Sequence, residues 1–196
     1  FIDTLATSID ARDKITAGHS SRVKLYSMLI VDALGCDKKF KEIVEKAAIL
    51  HDIGKIGIRD SVLQKEGKLT DEEYKHIQEH VKITHDILEK INTSEDFKQI
   101  TEIACSHHEK YDGSGYYRHL SGEDIPYGGR ILAVADVFDA ITSKRHYRDK
   151  MPIQNVIDIL ISGKDKHFDG KLVDVFLKIS VDKIINVFLT ENHHSF

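Results

Sequence analysis

Apolar and polar residues alternate along most of the chain with the period of an α-helix. Between residues 23 and 34, apolar side chains recur every three or four positions, and Gly35 follows them as a predicted C-cap. Thr70 and Glu73 form a capping box, which predicts the start of a long helix. The predicted helices span 1–12, 18–34, 38–50, 60–63, 70–91, 95–108, 130–142, 152–162 and 170–189.

The segments between these helices predict connections and not strands. Residues 116–129, with Pro126 and two adjacent glycines, predict an irregular connection. Gly54 and Gly57 are expected to loosen the chain after the helix that ends at residue 50. The alternation of strands and helices that a parallel α/β sheet requires is absent from the sequence. We therefore predict an all-α fold.

The composition suits one soluble domain. The chain of 196 residues is long enough to bury a substantial core. Its formal net charge is −4, charged residues make up 31%, and no apolar run approaches the roughly 18 residues that span a bilayer. We expect a cytoplasmic protein without membrane insertion, and the mild acidity argues against binding to DNA or RNA. Cys36 and Cys105 form no CxxC pair and are interpreted as small core residues in a reducing compartment.

The chain begins at Phe1 without a methionine or a signal peptide, and already in a helical pattern. We therefore expect an excised domain that lacks an upstream regulatory region. The expected boundaries are 1–180 for the domain and 181–196 for the end of the last helix and a tail.

The first group of candidate functional residues is His51, Asp52 and Lys55, which follow the apolar residues 48–50. Burying a carboxylate costs on the order of several kcal/mol unless it is paired or bound to a metal, so Asp52 requires compensation. If this segment is helical, the three side chains lie three and four residues apart and project toward one side. An imidazole beside the carboxylate indicates a cation there.

Five further residues are candidates, each with an ordinary structural alternative. His107 and His108 are adjacent and would point about 100° apart on a helix. They could therefore bind two metal ions or occupy two positions on one ion, and the ordinary alternative is a pair of surface histidines. Asp136 lies in a strongly apolar helix, where metal ligation or a core salt bridge would stabilise its charge. His19 begins a helix and His80 lies within one, so solvent exposure or hydrogen bonding explains either residue taken alone.

A competing motif occurs at His76, Glu79 and His80, which match the inverted zinc-protease pattern H-x-x-E-H. So short a pattern arises easily by chance in a chain rich in histidine and glutamate. A protease site would also leave the candidates at 51, 52, 107, 108 and 136 unexplained, and we disfavour it.

Three segments together resemble the HD-GYP family of phosphodiesterases, a branch of the HD-domain metal-dependent phosphohydrolases. They are 51–58 (HDIGKIGI), 107–116 (HHEKYDGSGY) and 135–143 (ADVFDAITS), the last followed by Arg145, Tyr147 and Arg148. The resemblance runs from about residue 5 to residue 175. It implies an HD-domain helical bundle around a buried site of two, sometimes three, metal ions, and hydrolysis of the bacterial messenger cyclic di-GMP.

The resemblance also implies a ligand set in which Asp52 bridges two ions. The ligands implied for one metal are His19, His51, Asp52 and Asp136, and those for the second are Asp52, His80, His107 and His108. Imidazole and carboxylate ligands suit iron or manganese and also admit zinc. Two such ions can share a bridging water, lower its pKa and hold the scissile phosphate for in-line attack. Lys55 is expected to act beside Asp52 by offsetting the charge that develops on the phosphate.

Four residues are implied as further substrate contacts. Arg145 and Arg148 are expected to grip phosphate oxygens, the alternative being a solvated basic face. Gly115 lets the backbone approach the substrate closely, and Tyr116 offers an aromatic ring to the site or to a guanine.

The sequence departs from the family in two places. The family motif ends in Gly-Tyr-Pro, whereas Tyr117 stands at the position of the proline. Its absence is expected to loosen the loop that shapes the substrate pocket. Members with three metals carry a glutamate four residues before the first histidine ligand, and Ile15 occupies that place here, so we expect two metals.

Three hypotheses follow. The first is an active cyclic di-GMP phosphodiesterase that yields pGpG, GMP or both. The second is a weakly active or inactive module that binds metals and a cyclic dinucleotide and signals through protein contacts. The third is hydrolysis of another nucleotide at the same centre. The expected partners are an upstream sensory or receiver domain and, as a candidate assembly, a second copy of the chain.

Overall fold

The computed structural model describes residues 18–91, 94–143 and 152–192. Within these residues the protein is helical, with no strand beyond an isolated bridge between Lys164 and Phe168, so the all-α prediction is confirmed. Two 3₁₀ helices occur at Ile53–Gly57 and Gly122–Asp124. The α-helices are α1 (His19–Ala33), α2 (Lys38–Leu50), α3 (Asp60–Leu63), α4 (Asp71–Ile91), α5 (Glu95–Ala104), α6 (Tyr127–Thr142), α7 (Ile153–Ser162), α8 (Gly170–Leu177) and α9 (Val181–Asn192).

Helix boundaries agree with the sequence where side chains cap them. The Asp37 carboxylate accepts a hydrogen bond from the amide of Phe40 at 2.9 Å, and α2 has the predicted bounds. The predicted capping box is confirmed, since the Thr70 hydroxyl accepts from the Glu73 amide at 3.2 Å and the Glu73 carboxylate accepts from the Thr70 amide at 2.8 Å. Gly35 follows α1 with a left-handed φ of 66°, as a C-cap requires.

The helix predicted for 95–108 was too long, because α5 ends at Ala104. The hydroxyl of Ser106 donates to the carbonyl of Glu102 at 2.6 Å, and this local bond competes with the helical hydrogen bonds of the last turn. His107 and His108 therefore lie in a turn and not on a helix face.

The single helix predicted for 170–189 is also wrong. The structure has α8 and α9 with a break between them, where the amide of Ile179 bonds the carbonyl of Phe176 at 3.0 Å. The carbonyl of Ser180 then accepts from the amide of Lys183 at 3.0 Å and begins the next helix. Serine is a favoured residue at a helix start, which explains why the chain divides here.

The turn after α2 is tighter than the sequence indicated. His51 caps α2, and Ile53–Gly57 forms a 3₁₀ helix in place of a loosened segment or a continued α-helix. In the connection predicted for 116–129, α6 begins at Tyr127, and the second 3₁₀ helix interrupts the irregular chain.

The core is organised around α1, which packs against α2, α6, α8 and α9. The buried ring of Phe138 on α6 makes edge contacts with Tyr26 at 5.0 Å and with Phe176 at 4.9 Å between ring centroids. Such aromatic contacts add to the stabilisation from apolar burial. This packing places His19, the first residue of α1, beside the buried Asp136 and Asp139 of α6.

The two cysteines are free thiols. Cys105 is fully buried, and burial raises the pKa of its thiol to about 12. Cys36 is half-buried and packs against the core. Both positions fit the predicted packing role.

Several expectations fall on residues outside the described ranges. These are the helix at 1–12, Ile15, and the arginines Arg145 and Arg148. Among the described helices, none combines the length and apolarity that crossing a membrane requires.

Candidate metal centre

Asp52 lies in the middle of a buried cluster of histidines. Its Oδ2 atom is 3.3 Å from Nε2 of His51 and 3.7 Å from Nε2 of His19. Its Oδ1 atom is 3.3 Å from Nε2 of His80 and 3.9 Å from Nε2 of His107. The two carboxylate oxygens thus face different histidine pairs, an arrangement that lets one carboxylate bridge two cations through separate oxygens.

The structure brings all seven predicted ligands together. The potential ligand atoms of each of two groups lie within 4.8 Å of one another. The groups are His19, His51 and Asp136, and His80, His107 and His108. Asp52 lies between them, and every one of the seven is buried except His108, which is half-buried.

Three of the histidines are aimed by their own backbone. Each donates its Nδ1 proton to the carbonyl three residues earlier, because a carbonyl oxygen can only accept: His51 to Ala48 at 2.7 Å, His80 to Ile77 at 2.7 Å and His107 to Ala104 at 2.6 Å. The Nε2 atom of each ring is therefore left to face the centre of the cluster.

His19 is oriented by a carboxylate. Its Nδ1 atom lies 2.7 Å from Oδ2 of Asp139, and Arg22 donates to the same carboxylate through Nε at 2.7 Å. Its Nε2 atom lies 3.0 Å from Oδ1 of Asp136. Burial alone would lower the pKa of His19, but the hydrogen bonds and charges of Asp136 and Asp139 raise it to about 10. Bound metal would replace the Nε2 proton that this pKa describes.

The other half of the cluster favours neutral imidazoles. Burial lowers the pKa of His108 to about 3, and it also holds the pKa of His107 well below its usual value. Burial would raise the pKa of Asp52, yet the charges of Lys55 and His51 keep it well below the usual range. Neutral imidazole and ionised carboxylate are the protonation states that bind metals.

One buried nitrogen of the cluster tests whether a cation fits the site. The Nε2 atom of His51 makes no hydrogen bond of acceptable geometry among the described residues, although Asp52 is nearby. An unsatisfied buried nitrogen is costly, and a metal ion would satisfy it. The donor set is therefore one that fits divalent metal.

Gly54 and Thr84 join the two halves of the site. The hydroxyl of Thr84 accepts from the amide of Gly54 at 3.0 Å and donates to the carbonyl of His51 at 3.1 Å. A Cβ atom at Gly54 would lie only 1.9 Å from the carbonyl oxygen of His80, so the backbones approach too closely for any side chain. The turn that carries Asp52 is thereby held against α4, which carries His80.

A cavity of about 470 Å³ opens beside the cluster. Its wall includes the apolar residues Val62, Leu63, Leu69 and Ile77. Its polar lining includes Lys55, Lys65, Tyr74, Lys110, Tyr116 and His167. Lys55 also pairs with a candidate ligand, since its Nζ atom lies 2.8 Å from Oδ2 of Asp52. The cavity therefore combines cationic groups with apolar surface next to the candidate ligands.

The turn that follows the histidine pair lies directly against it. The ring of Tyr116 stacks on the ring of His108, with centroids 4.7 Å apart and an interplanar angle of 27°. A Cβ atom at Gly115 would lie 2.3 Å from the amide nitrogen of Lys110, so only glycine permits this path of the chain.

The protease motif does not form a metal site. Nδ1 of His76 lies 2.7 Å from the carboxylate of Glu79, and its Nε2 accepts from the amide of Arg59 at 3.3 Å. Both nitrogens of His76 are thus engaged on the exposed side of α4, while His80 faces Asp52.

The fold and the site together define an HD-type metal-binding helical domain. The family model described as "HD domain" matches residues 3–172, and the chain belongs to this family. It is 41% identical over 175 residues to a 3′3′-cGAMP-specific phosphodiesterase of Vibrio cholerae, covering 89% of this chain and 33% of that protein.

Two further relatives carry names of the same kind. The chain is 41% identical over 168 residues to a cyclic di-GMP phosphodiesterase of Thermotoga maritima, covering 86% of this chain and 45% of that protein. It is 40% identical over 178 residues to the cyclic di-GMP phosphodiesterase response regulator RpfG of Xanthomonas campestris. This match covers 90% of this chain and 47% of that protein. These relatives confirm the resemblance stated above, and the chain spans between a third and a half of their length.

Solved structures share the fold. A Vibrio cholerae phosphodiesterase specific for cyclic GMP-AMP matches with a TM-score of 0.69 at 19% identity, over 95% of this chain and 52% of that one. The HD domain of a Listeria monocytogenes phosphodiesterase, solved with cyclic di-AMP, matches with a TM-score of 0.61 at 17% identity, over 98% of both chains.

Proposed function

We propose that this chain is a metal-dependent phosphodiesterase that hydrolyses cyclic di-GMP to pGpG, GMP or both. The observation that carries the proposal is the division of the Asp52 carboxylate between two groups of buried ligand atoms. The names of the relatives support the substrate class. A cytoplasmic location, an upstream sensory or receiver domain and a homodimer belong to the same proposal.

Each half of the cluster would hold one ion, iron or manganese by preference and zinc as the alternative. His19, His51 and Asp136 would hold the first ion, and His80, His107 and His108 the second, with Asp52 shared. A pair of bound divalent ions supplies a water of lowered pKa and neutralises charge on a phosphate oxygen.

The residues of the chain itself supply position and charge. Lys55 lines the cavity and pairs with Asp52, so its ammonium group lies beside the place where phosphate charge would develop. Gly115 brings the backbone close to the histidine pair, and Tyr116 presents a ring to the cavity. We include Arg145 and Arg148 as phosphate contacts from the sequence resemblance alone.

The chemical groups of a cyclic dinucleotide match the types of residue that line the cavity. Its two phosphates require cations, and the cavity lining includes Lys55, Lys65 and Lys110, of which Lys55 is paired with Asp52 and Lys65 with Glu73. Its two bases require apolar or aromatic surface, which Leu69 and Tyr74 in the cavity lining provide. Apolar walls with a few convergent charged groups are typical of small-molecule sites.

A second candidate substrate is 3′3′-cyclic GMP-AMP. It is favoured by relatives of 41% identity whose names specify it. The two substrates differ in one base, so the metal centre treats their phosphates alike, and the choice depends on the walls of the cavity. A weakly active signalling module is the remaining alternative.

The test is purification without oxygen, followed by measurement of bound metals and of turnover. Cyclic di-GMP and 3′3′-cyclic GMP-AMP are assayed separately with added Fe, Mn or Zn. The double variant His51→Ala, Asp52→Ala is the inactive control, and Asp32→Asn, an exposed position paired with Lys41, is the surface control.

Turnover that is lost in the double variant and retained in Asp32→Asn supports the proposal. About two metals per chain without turnover of either substrate would favour the signalling module. A folded protein that takes up no transition metal would contradict both, and a content near three would contradict the expectation drawn from Ile15.

A further inference from the structure

Glu109 is a buried carboxylate that has no part in the proposed chemistry. It follows His108 directly and is only 1% exposed. Its Oε1 accepts a hydrogen bond from the amide of Arg118 at 2.7 Å, and its Oε2 accepts from the amide of Leu120 at 3.1 Å. No lysine or arginine forms an ion pair with Glu109 among the described residues. Both oxygens of the side chain therefore accept from the backbone, and the two contacts hold residues 118 and 120 against Glu109.

The residues between these partners form a loop, 109–120, that folds back on its own start. The amide of Tyr116 donates to the carbonyl of His108 at 3.2 Å. Gly115 contributes the close approach, because a Cβ atom there would also lie 2.6 Å from the carbonyl oxygen of His108. Two kinds of hydrogen bond therefore hold the loop beside the histidine pair. One runs from the Tyr116 amide to the His108 carbonyl, and the others run from the amides of Arg118 and Leu120 to the Glu109 side chain.

These attachments lie on both sides of Tyr117, the position at which the family carries proline. The amide of Tyr116 bonds His108, and the amide of Arg118 bonds Glu109. A proline at this position would restrain the backbone through its fixed φ. In this chain, hydrogen bonds to the two neighbouring amides restrain the same segment.

The loop carries the ring that stacks on a candidate ligand. Tyr116 stacks on His108, lines the cavity and is half-buried. The direction of this ring depends on the path of the backbone on either side of it. A displacement of this backbone would change how the ring stacks on His108 and where it lines the cavity.

We propose that Glu109 is a positioning residue that fixes loop 109–120 and thereby holds Tyr116 against His108 as one wall of the substrate cavity. The inference takes its substrate from the proposed function. Its geometry depends only on the hydrogen bonds and ring contacts above.

The proposal is tested with two substitutions and a matched control. Glu109→Gln keeps the shape but replaces one acceptor oxygen with an NH₂ group that faces a backbone N–H, and Glu109→Ala removes both acceptors. The control is Glu102→Gln. The carboxylate of Glu102 lies 2.6 Å from the guanidinium of the same Arg118, and its side chain is accessible to solvent.

The first measurement is hydrogen exchange by mass spectrometry on the metal-loaded protein, in peptides that cover residues 116–121. Loss of an acceptor should accelerate amide exchange by about tenfold or more, at Arg118 or Leu120 in Glu109→Gln and at both in Glu109→Ala. The control should exchange like the unmodified protein. Unchanged protection in Glu109→Ala would overturn the proposal.

The second measurement separates KM from kcat for cyclic di-GMP. With bound metal at the unmodified level, we expect KM to rise about tenfold in Glu109→Gln and further in Glu109→Ala, while kcat changes by less than about threefold. A fall in kcat at unchanged KM, or loss of metal in proportion to the change in KM, would overturn the proposal by making Glu109 a support for His108 itself. If Glu109→Ala fails to fold, Glu109→Gln decides the outcome.

The two proposals fail in different ways. If the unmodified, metal-loaded protein hydrolyses no cyclic dinucleotide, the proposed function is contradicted, and the exchange measurement still decides whether Glu109 fixes the loop. If turnover is present but the Glu109 variants match Glu102→Gln in both measurements, only the inference about Glu109 is contradicted.

Discussion

The carboxylate of Asp139 lies 2.7 Å from Nδ1 of His19, although 120 residues separate the two along the chain. Arg22 donates to both oxygens of the same carboxylate, at 2.7 and 3.1 Å. A carboxylate behind a ligating histidine fixes its tautomer and ring orientation and strengthens the nitrogen that faces the metal. Asp139 therefore belongs to the candidate centre as the residue that orients His19.

Asp139→Asn should weaken metal binding without removing a ligand. The amide cannot offer two acceptor oxygens to His19 and Arg22, so the ring loses its fixed orientation. We expect affinity for the ion held by His19 to fall by about 10- to 100-fold, measured by competition with a chelator of known affinity. Asp32→Asn is the exposed control, and equal affinity in the two variants would contradict the prediction.

Asp52→Asn and Asp136→Asn should differ in the number of metals lost. Asp52 faces both histidine groups, whereas the described ligand contacts of Asp136 lie on the His19 side. Metal analysis after gel filtration should show loss of both ions in Asp52→Asn and retention of about one in Asp136→Asn. Retention of one ion in Asp52→Asn would show that its carboxylate is not shared.

Thr84→Val should destabilise the protein more than Thr84→Ser. Valine has the shape of threonine but leaves the amide of Gly54 and the carbonyl of His51 without their buried partner. We expect a loss of about 1–3 kcal/mol in the free energy of unfolding, measured by urea denaturation of the metal-free protein. Serine keeps the hydroxyl, and an equal loss in both variants would assign the effect to packing of the methyl group.

The stability of the metal-free protein should depend on pH in two separate windows. Burial lowers the pKa of His108 to about 3, so from pH 6.5 downward the unfolded chain binds more protons and stability falls. The pKa of His19 is raised to about 10 by Asp136 and Asp139, so its contribution is complete below pH 6.5 and is lost as pH rises toward 10. Each group changes the free energy of unfolding by at most about 1.4 kcal/mol per pH unit.

Urea denaturation of chelator-treated protein tests these windows. His108→Gln should flatten the slope between about pH 5 and 6.5, where ordinary carboxylates stay ionised. His19→Gln should flatten it above about pH 7. Unchanged slopes in the two variants would contradict the assigned protonation states.

The sequence predicted the elements whose ends depend on neighbouring residues. The capping box of Thr70 and Glu73 needs only four consecutive residues, and the helix it opens was predicted to within a residue. The break at Ser180 was missed because a serine within an apolar pattern marks a helix start only when tertiary packing turns the chain there. The turn that holds His107 and His108 was missed for a similar reason, since the bond from Ser106 competes with a helix that the pattern would allow.

The candidate ligands were accessible from sequence because the family motifs occur in order. The residues that orient them were not. Asp139 acts on a partner at the other end of the chain, and Glu109 acts on backbone amides that no motif specifies. A signal for Asp139 was present, since it lies three residues after Asp136 in an otherwise apolar helix and so shares its face. Thr84 gave none, because a threonine in a long helix is ordinary.

The bonds from His51, His80 and His107 to the carbonyls three residues before them make each ring's direction a property of four consecutive residues. Movements of the helices past one another would therefore change the distances between these nitrogens far more than the directions in which they point. The packing of the helices thus sets the distances between these nitrogens, whereas local backbone hydrogen bonds set the directions of the rings. Substitutions in the distant core can adjust which ion the centre prefers while these three imidazoles continue to face it.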